Sequence, residues 1–346
     1  EFRRVLFRSV NLERMDNSLD MRDVARHTLE MVQMADEGGF HIVWSAEHHA
    51  LEMTIAPDPF QILTWWAAHT NKIRLGTAVA VAPYWHPIKL AGEAAFTDLI
   101  TGGRLEFGIG SGAYQREFDR MSPGLQPAQG GAAMREMLPI IRALWAGDYE
   151  HEGEWWSFPK ATSCPKPVQE NVPVWIAARD PDTYNWAVAN DCDIMCWPLT
   201  RPMSELETYL RQLDDAVEKA GKPNRPRITA MRYSAVWENE RDADLYIRSV
   251  QRQAGQFENL FKQLGAVDNG FAEEIDLDAL AHRDEYKPAT LRENLMFGTP
   301  DEVITKLKRY EELGSDFMYT ASYGAPIEAQ KRSFELFIKH VMPEFK

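Results

Sequence analysis

Short apolar runs alternate with amphipathic helical stretches along almost the whole chain, and that alternation confines the fold to parallel β/α units. Over residues 21–37, Val24, Met31, Val32 and Ala35 share one face at helical spacing, and Gly38-Gly39 provides the stop. A strand is predicted immediately after it, over 41–46. Residues 73–81 (IRLGTAVAV) are apolar nearly throughout, as a strand covered on both faces requires. Further strands are predicted over 105–109, 174–178, 194–197, 228–236 and 316–320. With a first strand near Val10 they make eight. Eight units in 346 residues give a (β/α)8 TIM barrel, one domain with an insertion before the last β/α unit.

The insertion is placed at 255–297, where apolar periodicity weakens and acidic residues gather. Two readings stay open for it, a lid over the carboxyl-terminal face or a plain surface loop. The last unit is sharply punctuated: Thr299 as N-cap, Pro300 in the first turn, Glu302 completing a capping box, and Gly314 closing the helix. Val303, Ile304, Leu307 and Tyr310 then face inward. Pro139 falls inside the helical stretch 134–145 and predicts a kink or a late start. Residues 1–9 (EFRRVLFRS) lack Met and strand alternation and read as a non-native segment, leaving 10–346 as the domain.

A net charge of −14 disfavours general attraction to nucleic acid or anionic membrane, which leaves small-molecule chemistry. The three cysteines, Cys164, Cys192 and Cys196, form no CxxC pair and suggest neither a disulfide framework nor a thiolate zinc site. With no apolar run long enough to span a bilayer and no signal-peptide pattern, a cytoplasmic location is expected.

Candidate chemistry gathers where strands end. Glu47-His48-His49 follows the second strand, so a proton-transfer group with a carboxylate beside it is one reading. A zinc site and a purely structural pair are the others. His86, before Pro87, is either a chemical group or a loop anchor. Gly108, Gly110 and Gly112 let backbone approach a flat ring or a phosphate, at a spacing unlike the dinucleotide fingerprint. Arg179, Asp180 and Thr183 precede a helix start, which suits either an anion site or simple capping. Trp197, at a strand end, is a candidate for ring stacking.

Taken in order, VWSAEHH, IRLGTAVAVAPYWHPIKLAGEAAFTDLITGGRLEFGIGSGAY, PVWIAARDPDT and FGTPDEVITKLKRYEELGSDF resemble the bacterial luciferase-like flavin-dependent monooxygenases, over about residues 10–343. The resemblance implies reduced FMN supplied by an NAD(P)H-dependent flavin reductase, O2 as co-substrate, a small organic substrate such as an aldehyde, ketone or sulfonate, and a homodimer. It assigns His48 as active-site base with Glu47 and His49 beside it, and it puts a non-prolyl cis peptide at Ala78-Val79 beneath the flavin. Gly110 stands where the luciferase has a reactive cysteine, which counts against light emission and suggests more room beside the ring. Ser111 replaces a phosphate-binding arginine, for which Arg179 compensates, alongside Asp180 and Thr183. Tyr114 and Trp197 complete the cofactor-binding set. Three other functions are weighed: a deazaflavin-dependent hydride-transfer oxidoreductase on the same barrel, a non-catalytic flavin-binding protein, and a metal-dependent hydrolase. No metal ligand set stands out.

Overall fold

The computed structural model of the protein describes residues 12–273, 276, 283–321 and 323–345, together with the backbone of 6–9. Its α/β fold is built on a curled sheet of parallel strands. β1 (Leu6–Ser9) pairs with β2 (Ile42–Ser45), which pairs with β3 (Arg74–Thr77), β4 (Leu105–Gly110) and β5 (Val174–Ala177) in succession. β6 (Asp193–Cys196), β7 (Ile228–Val236) and β8 (Asp316–Ala321) continue the order. β8 then pairs with β1, Leu6 opposite Phe317. The first strand thus lies ahead of the position near Val10 expected from sequence. Residues 1–5 and Val10 lie outside the described residues.

Helices follow the strands: α1 (Met21–Gly38), α2 (Pro59–Ala67), α3 (Pro87–Ile100), α4 (Gln115–Met121), α5 (Pro127–Ala146), α6 (Pro181–Ala189), α7 (Met203–Ala220) and α8 (Ala243–Lys262). α1 is capped by the Asp20 side chain and ends on Gly39 at φ 90°, a left-handed position that favours glycine. The capping box at Thr299 and Glu302 is formed, Gly314 takes φ 71°, and Val303, Leu307 and Tyr310 are buried as expected. Ile304 is only partly covered. α5 neither starts late nor stops at Pro139. Met134, Met137, Leu138, Ile140 and Ile141 bury around the proline, and their burial, at ~1.5–3 kcal/mol per side chain, outweighs the ~3 kcal/mol a helix loses there.

Strand residues divide between two packing layers with the period of two that a pleated strand imposes. Val43, Leu75, Leu105, Phe107 and Ile176 join helix residues such as Leu63, Trp66, Leu90 and Ala94 in the larger core. Ile42, Trp44, Trp175, Met195 and Met318 form a separate cluster, with Ala78, Val79 and Met231 against it. Trp44 meets Trp175 edge to face, ring centroids 5.3 Å apart. Gly76 makes room for this pair, since a Cβ there would lie 2.1 Å from the Trp44 ring.

Two departures bear on the site. The predicted strand over 73–81 is interrupted: β3 ends at Thr77, the Ala78–Val79 peptide is cis, and Ala80–Val81 pairs separately with β4. The segment 255–297 is more ordered than its sequence suggested. α8 runs through Gly255 to Lys262, an antiparallel pair joins Val267–Asp268 to Phe271–Ala272, and Met296–Gly298 extends the sheet alongside β7. Residues 274–275 and 277–282 of it lie outside the described residues. Among the described residues no helix is long and apolar enough to cross a membrane.

Candidate functional site

Loops leaving the carboxyl ends of the strands meet around a cavity of about 400 Å³. Of the residues singled out from sequence, Glu47, His48, Ala78, Val79, Gly110, Ser111, Tyr114, Arg179, Asp180, Thr183 and Trp197 all line it. His49 and His86 are not among the lining residues. His86 instead caps α3, its Nδ1 accepting from the Ile88 N–H at 3.3 Å, which is the loop-anchoring alternative.

The loop after β2 is held by two buried carboxylates. Glu47, 2% exposed, accepts from the Val81 N–H (2.7 Å) and Trp85 Nε1 (2.8 Å) through one oxygen and meets His49 Nε2 (2.7 Å) through the other. Glu117 comes from α4 and is equally buried. It accepts the His49 N–H at 2.6 Å, and both its oxygens lie 3.1 Å from His48 Nδ1. An ionised carboxylate only accepts, so it selects the tautomer with the proton on Nδ1 and leaves the lone pair on Nε2. His48 therefore has the arrangement of a proton acceptor with an oriented ring. Its ring packs 5.4 Å from that of Tyr114, whose hydroxyl is held well above its usual range by burial and by the nearby Glu117 charge.

The floor between β3 and β4 is flat because glycine permits it. A Cβ on Gly108 would sit 1.8 Å from the Thr77 carbonyl, and Thr77 Oγ1 already donates to the Gly108 carbonyl at 2.6 Å. A Cβ on Gly110 would lie 2.3 Å from Val79 Cγ2. The extra room expected beside the ring at Gly110 is thus occupied: Val79 fills it. The cis Ala78–Val79 peptide stands where the sequence comparison put it.

The third part of the cavity surrounds the start of α6. Asp180 caps α6, accepting from the Thr183 N–H at 2.9 Å and Thr183 Oγ1 at 2.7 Å. Burial works against its charge, yet the Thr183 bonds and the charge of Arg135 keep the Asp180 carboxyl below its usual range. Its carboxylate is therefore committed to the helix. Arg179 is exposed and makes no ion pair among the described residues, so its guanidinium is available to a ligand. Arg135, from α5, reaches Thr183 Oγ1 at 3.5 Å and adds a second cation. With the start of α6, these groups can hold a phosphate.

Sequence reasoning missed Glu117, Arg135, Glu13 and Gln253. Glu117 reads locally as an acid in the first turn of a short helix, which explains it without reference to a histidine 69 residues earlier. Glu13 follows β1 in a region whose strand was misplaced, and Gln253 reads as one polar position among many on α8. No local signal singles out any of them. Among the described residues no cluster of three or more His, Cys, Asp or Glu could hold a metal.

The cavity fits a flavin mononucleotide. Glycine-flattened backbone forms one wall, Arg179 and the start of α6 also line it, and Trp197 Nε1 and Thr320 Oγ1 are buried in lining residues without partners among the described residues.

Comparison with known proteins gives a consistent picture. The family model described as luciferase-like monooxygenase matches residues 7–316. The oxygenase component of a flavin-dependent trigonelline monooxygenase from Acinetobacter baylyi is 40% identical over 338 residues, covering 97% of this chain and 94% of that one. Limonene 1,2-monooxygenase of Rhodococcus erythropolis is 27% identical over 92% of this chain and 80% of its own length. In fold, the chain is similar to the FMN complex of the oxygenating constituent of 3,6-diketocamphane monooxygenase from Pseudomonas putida, with TM-score 0.78, 17% identity and 98% of each chain covered.

Proposed function

The chain belongs to the luciferase-like monooxygenase family and is a flavin-dependent monooxygenase, and from that premise we propose that it is the oxygenase component of a two-component system, taking reduced FMN from a separate flavin reductase. The observation that carries the FMN assignment is the pairing of a glycine-flattened floor, Ala78, Val79 and Gly110, with a phosphate cradle at Arg179 and the start of α6. We read the closed run of parallel strand pairings as a (β/α)8 barrel.

Bound reduced flavin supplies electrons for the activation of O2. The protein's residues do the rest. Arg179, Arg135 and the first N–H groups of α6 hold the phosphate, with Ser111 and Thr183 beside it. Val79 and Gly110 support the ring, and Tyr114 and Trp197 wall the space beside it. His48, oriented by Glu117, takes or returns a proton at Nε2. Glu47 and His49 position this loop and need not touch the substrate.

The segment after β7 closes the site from above. Phe257 lines the cavity, and Leu260, Val267 and Ala272 pack on Tyr114, Leu51 and Met53. The Glu52 N–H donates to the Gly270 carbonyl at 2.8 Å, and Arg116 is bonded to the Gly265 carbonyl. This cover excludes water from the ring, as oxygen chemistry on a reduced flavin requires.

Anaerobic titration with reduced FMN and, separately, with a reduced deazaflavin tests the reading. Tight binding of reduced FMN followed by oxygen-dependent reoxidation coupled to substrate oxidation supports it, with trigonelline as the first compound to assay. Preference for the deazaflavin with no reaction toward oxygen overturns it.

A further inference from the structure

The loop after β1 carries a carboxyl group that nothing above employs. Glu13 is 7% exposed and Gln253 is 1% exposed, and both line the cavity. They share one long hydrogen bond, Gln253 Nε2 donating to Glu13 Oε1 at 3.4 Å. Among the described residues Glu13 Oε2 and Gln253 Oε1 are left buried without partners. Buried acceptors are almost always paired, and two unpaired ones side by side mark a place where a ligand brings the positive charge.

Among the described residues no protein cation meets this need. Arg14 is committed to Glu52 at 2.8 Å and Arg252 pairs with Asp16 at 3.4 Å. Arg179, the free guanidinium of the cavity, stands after β5. In the closed order of strand pairings β5 is four positions from β1, so Arg179 and Glu13 approach from opposite sides. Tyr114 and Tyr233, both of which feel the Glu13 charge, line an aromatic part of the cavity: Trp197 meets Tyr233 edge on at 6.0 Å and Phe257 edge on at 5.3 Å. Ring faces attract a cation, and a carboxylate among them adds to the attraction.

We propose that Glu13 and Gln253, walled by Tyr114, Trp197, Tyr233 and Phe257, are the specificity-determining end of this cavity and select a substrate carrying a cationic nitrogen on a flat ring. The proposal rests on the monooxygenase reading for the identity of the site and adds the charge of what enters it. Burial without a cation lifts the Glu13 carboxyl to about 8, against the weaker lowering by Gln253. Tyr114 and Tyr233, the titratable groups that face it, are themselves raised by burial. The other charged or titratable groups lining the cavity are Glu47, His48, Glu117, Arg179, Asp180, Cys196 and Tyr323. An arriving cation therefore finds Glu13 largely protonated near neutrality, and binding expels that proton to solvent as the carboxylate forms against the ligand.

The test is calorimetric titration of the FMN-loaded full chain with N-methylpyridinium, its uncharged isostere toluene, and benzoate. N-methylpyridinium is expected to bind at least tenfold more tightly than either. Its affinity should rise about tenfold from pH 6 to pH 7 and level off above pH 8, as the linked proton demands. Glu13→Gln keeps the shape and removes the charge, and it should abolish the pH dependence and weaken N-methylpyridinium at least tenfold at pH 8. Gln253→Met should weaken it several-fold with the pH dependence retained. Equal affinity for N-methylpyridinium and toluene, tighter binding of benzoate, or a pH-independent affinity overturns the proposal. Failure of the monooxygenase reading shows separately, as no binding of reduced FMN or no reoxidation by oxygen in the same preparation before any probe is added.

Discussion

Truncation of Glu47 tests whether this residue acts through the loops it ties together. Glu47→Ala leaves the buried Val81 N–H and Trp85 Nε1 without their acceptor and His49 Nε2 without its partner. Each orphaned donor costs ~1–3 kcal/mol, and relief from burying the carboxylate offsets part of the loss, so a net destabilisation of ~3–5 kcal/mol is expected. For 346 residues at ~2.1 cal/mol/K of unfolding entropy each, one kcal/mol moves the midpoint by ~1.4 °C, and the expected fall in Tm is ~4–7 °C. Glu47→Gln retains an oxygen for Val81 and Trp85 and turns its amide toward His49, which accepts in its other tautomer, so it should lose only ~1–2 °C. Scanning calorimetry reads both variants. FMN titration should show Glu47→Ala weakened as well, because Val81 lies two residues beyond the Val79 that supports the ring. A Glu47→Ala midpoint within ~2 °C of the parent, with unchanged FMN affinity, would refute the reasoning.

Other measurements probe the remaining parts of the site. Arg179→Ala should weaken FMN at least tenfold while leaving riboflavin, which lacks the phosphate, unaffected; equal loss for both would remove Arg179 from the phosphate. His48→Ala should lose turnover with FMN affinity within a few-fold, and adding Glu117→Gln to it should cost nothing further, since Glu117 acts through the His48 ring; additive losses would separate the two. Gly110→Cys places a Cβ 2.3 Å from Val79 Cγ2, so it should displace Val79 and weaken FMN, and an unchanged affinity would show that the floor yields freely. Because the Glu13 carboxyl is raised to about 8 by burial, the folded chain holds a proton there that the unfolded chain releases near its ordinary value of 4.5. Its contribution to stability is complete below pH 4.5 and is lost as pH rises to 8, by ~3–5 kcal/mol, so Glu13→Gln should flatten the fall in Tm between pH 5 and pH 8.5.

The parts of this protein that were legible in its sequence are those whose cause is local. The cap at Thr299 and Glu302 and the stop at Gly39 are satisfied within one turn of chain, so residue types alone reveal them. The strand ends were legible too, because a run buried on both faces declares itself by composition, and the loops that follow it carry the chemistry whatever their shape. Failures came where the deciding partner is distant. Pro139 reads as a kink or a late helix start, and the late start fails once the core packed around it is weighed; Gly110 reads as empty space until Val79 is seen to fill it. Glu117 and Glu13 sharpen the point. Both are carboxylates buried at the same cavity, and nothing within ten residues of either announces it. Glu117 is paired by two histidines, whereas Glu13 has one oxygen with no partner among the described residues. The same fold thus finishes one carboxylate and leaves the other open, and the difference between a positioning group and a recognition group lies in that remaining vacancy of hydrogen bonding, which only the assembled structure displays.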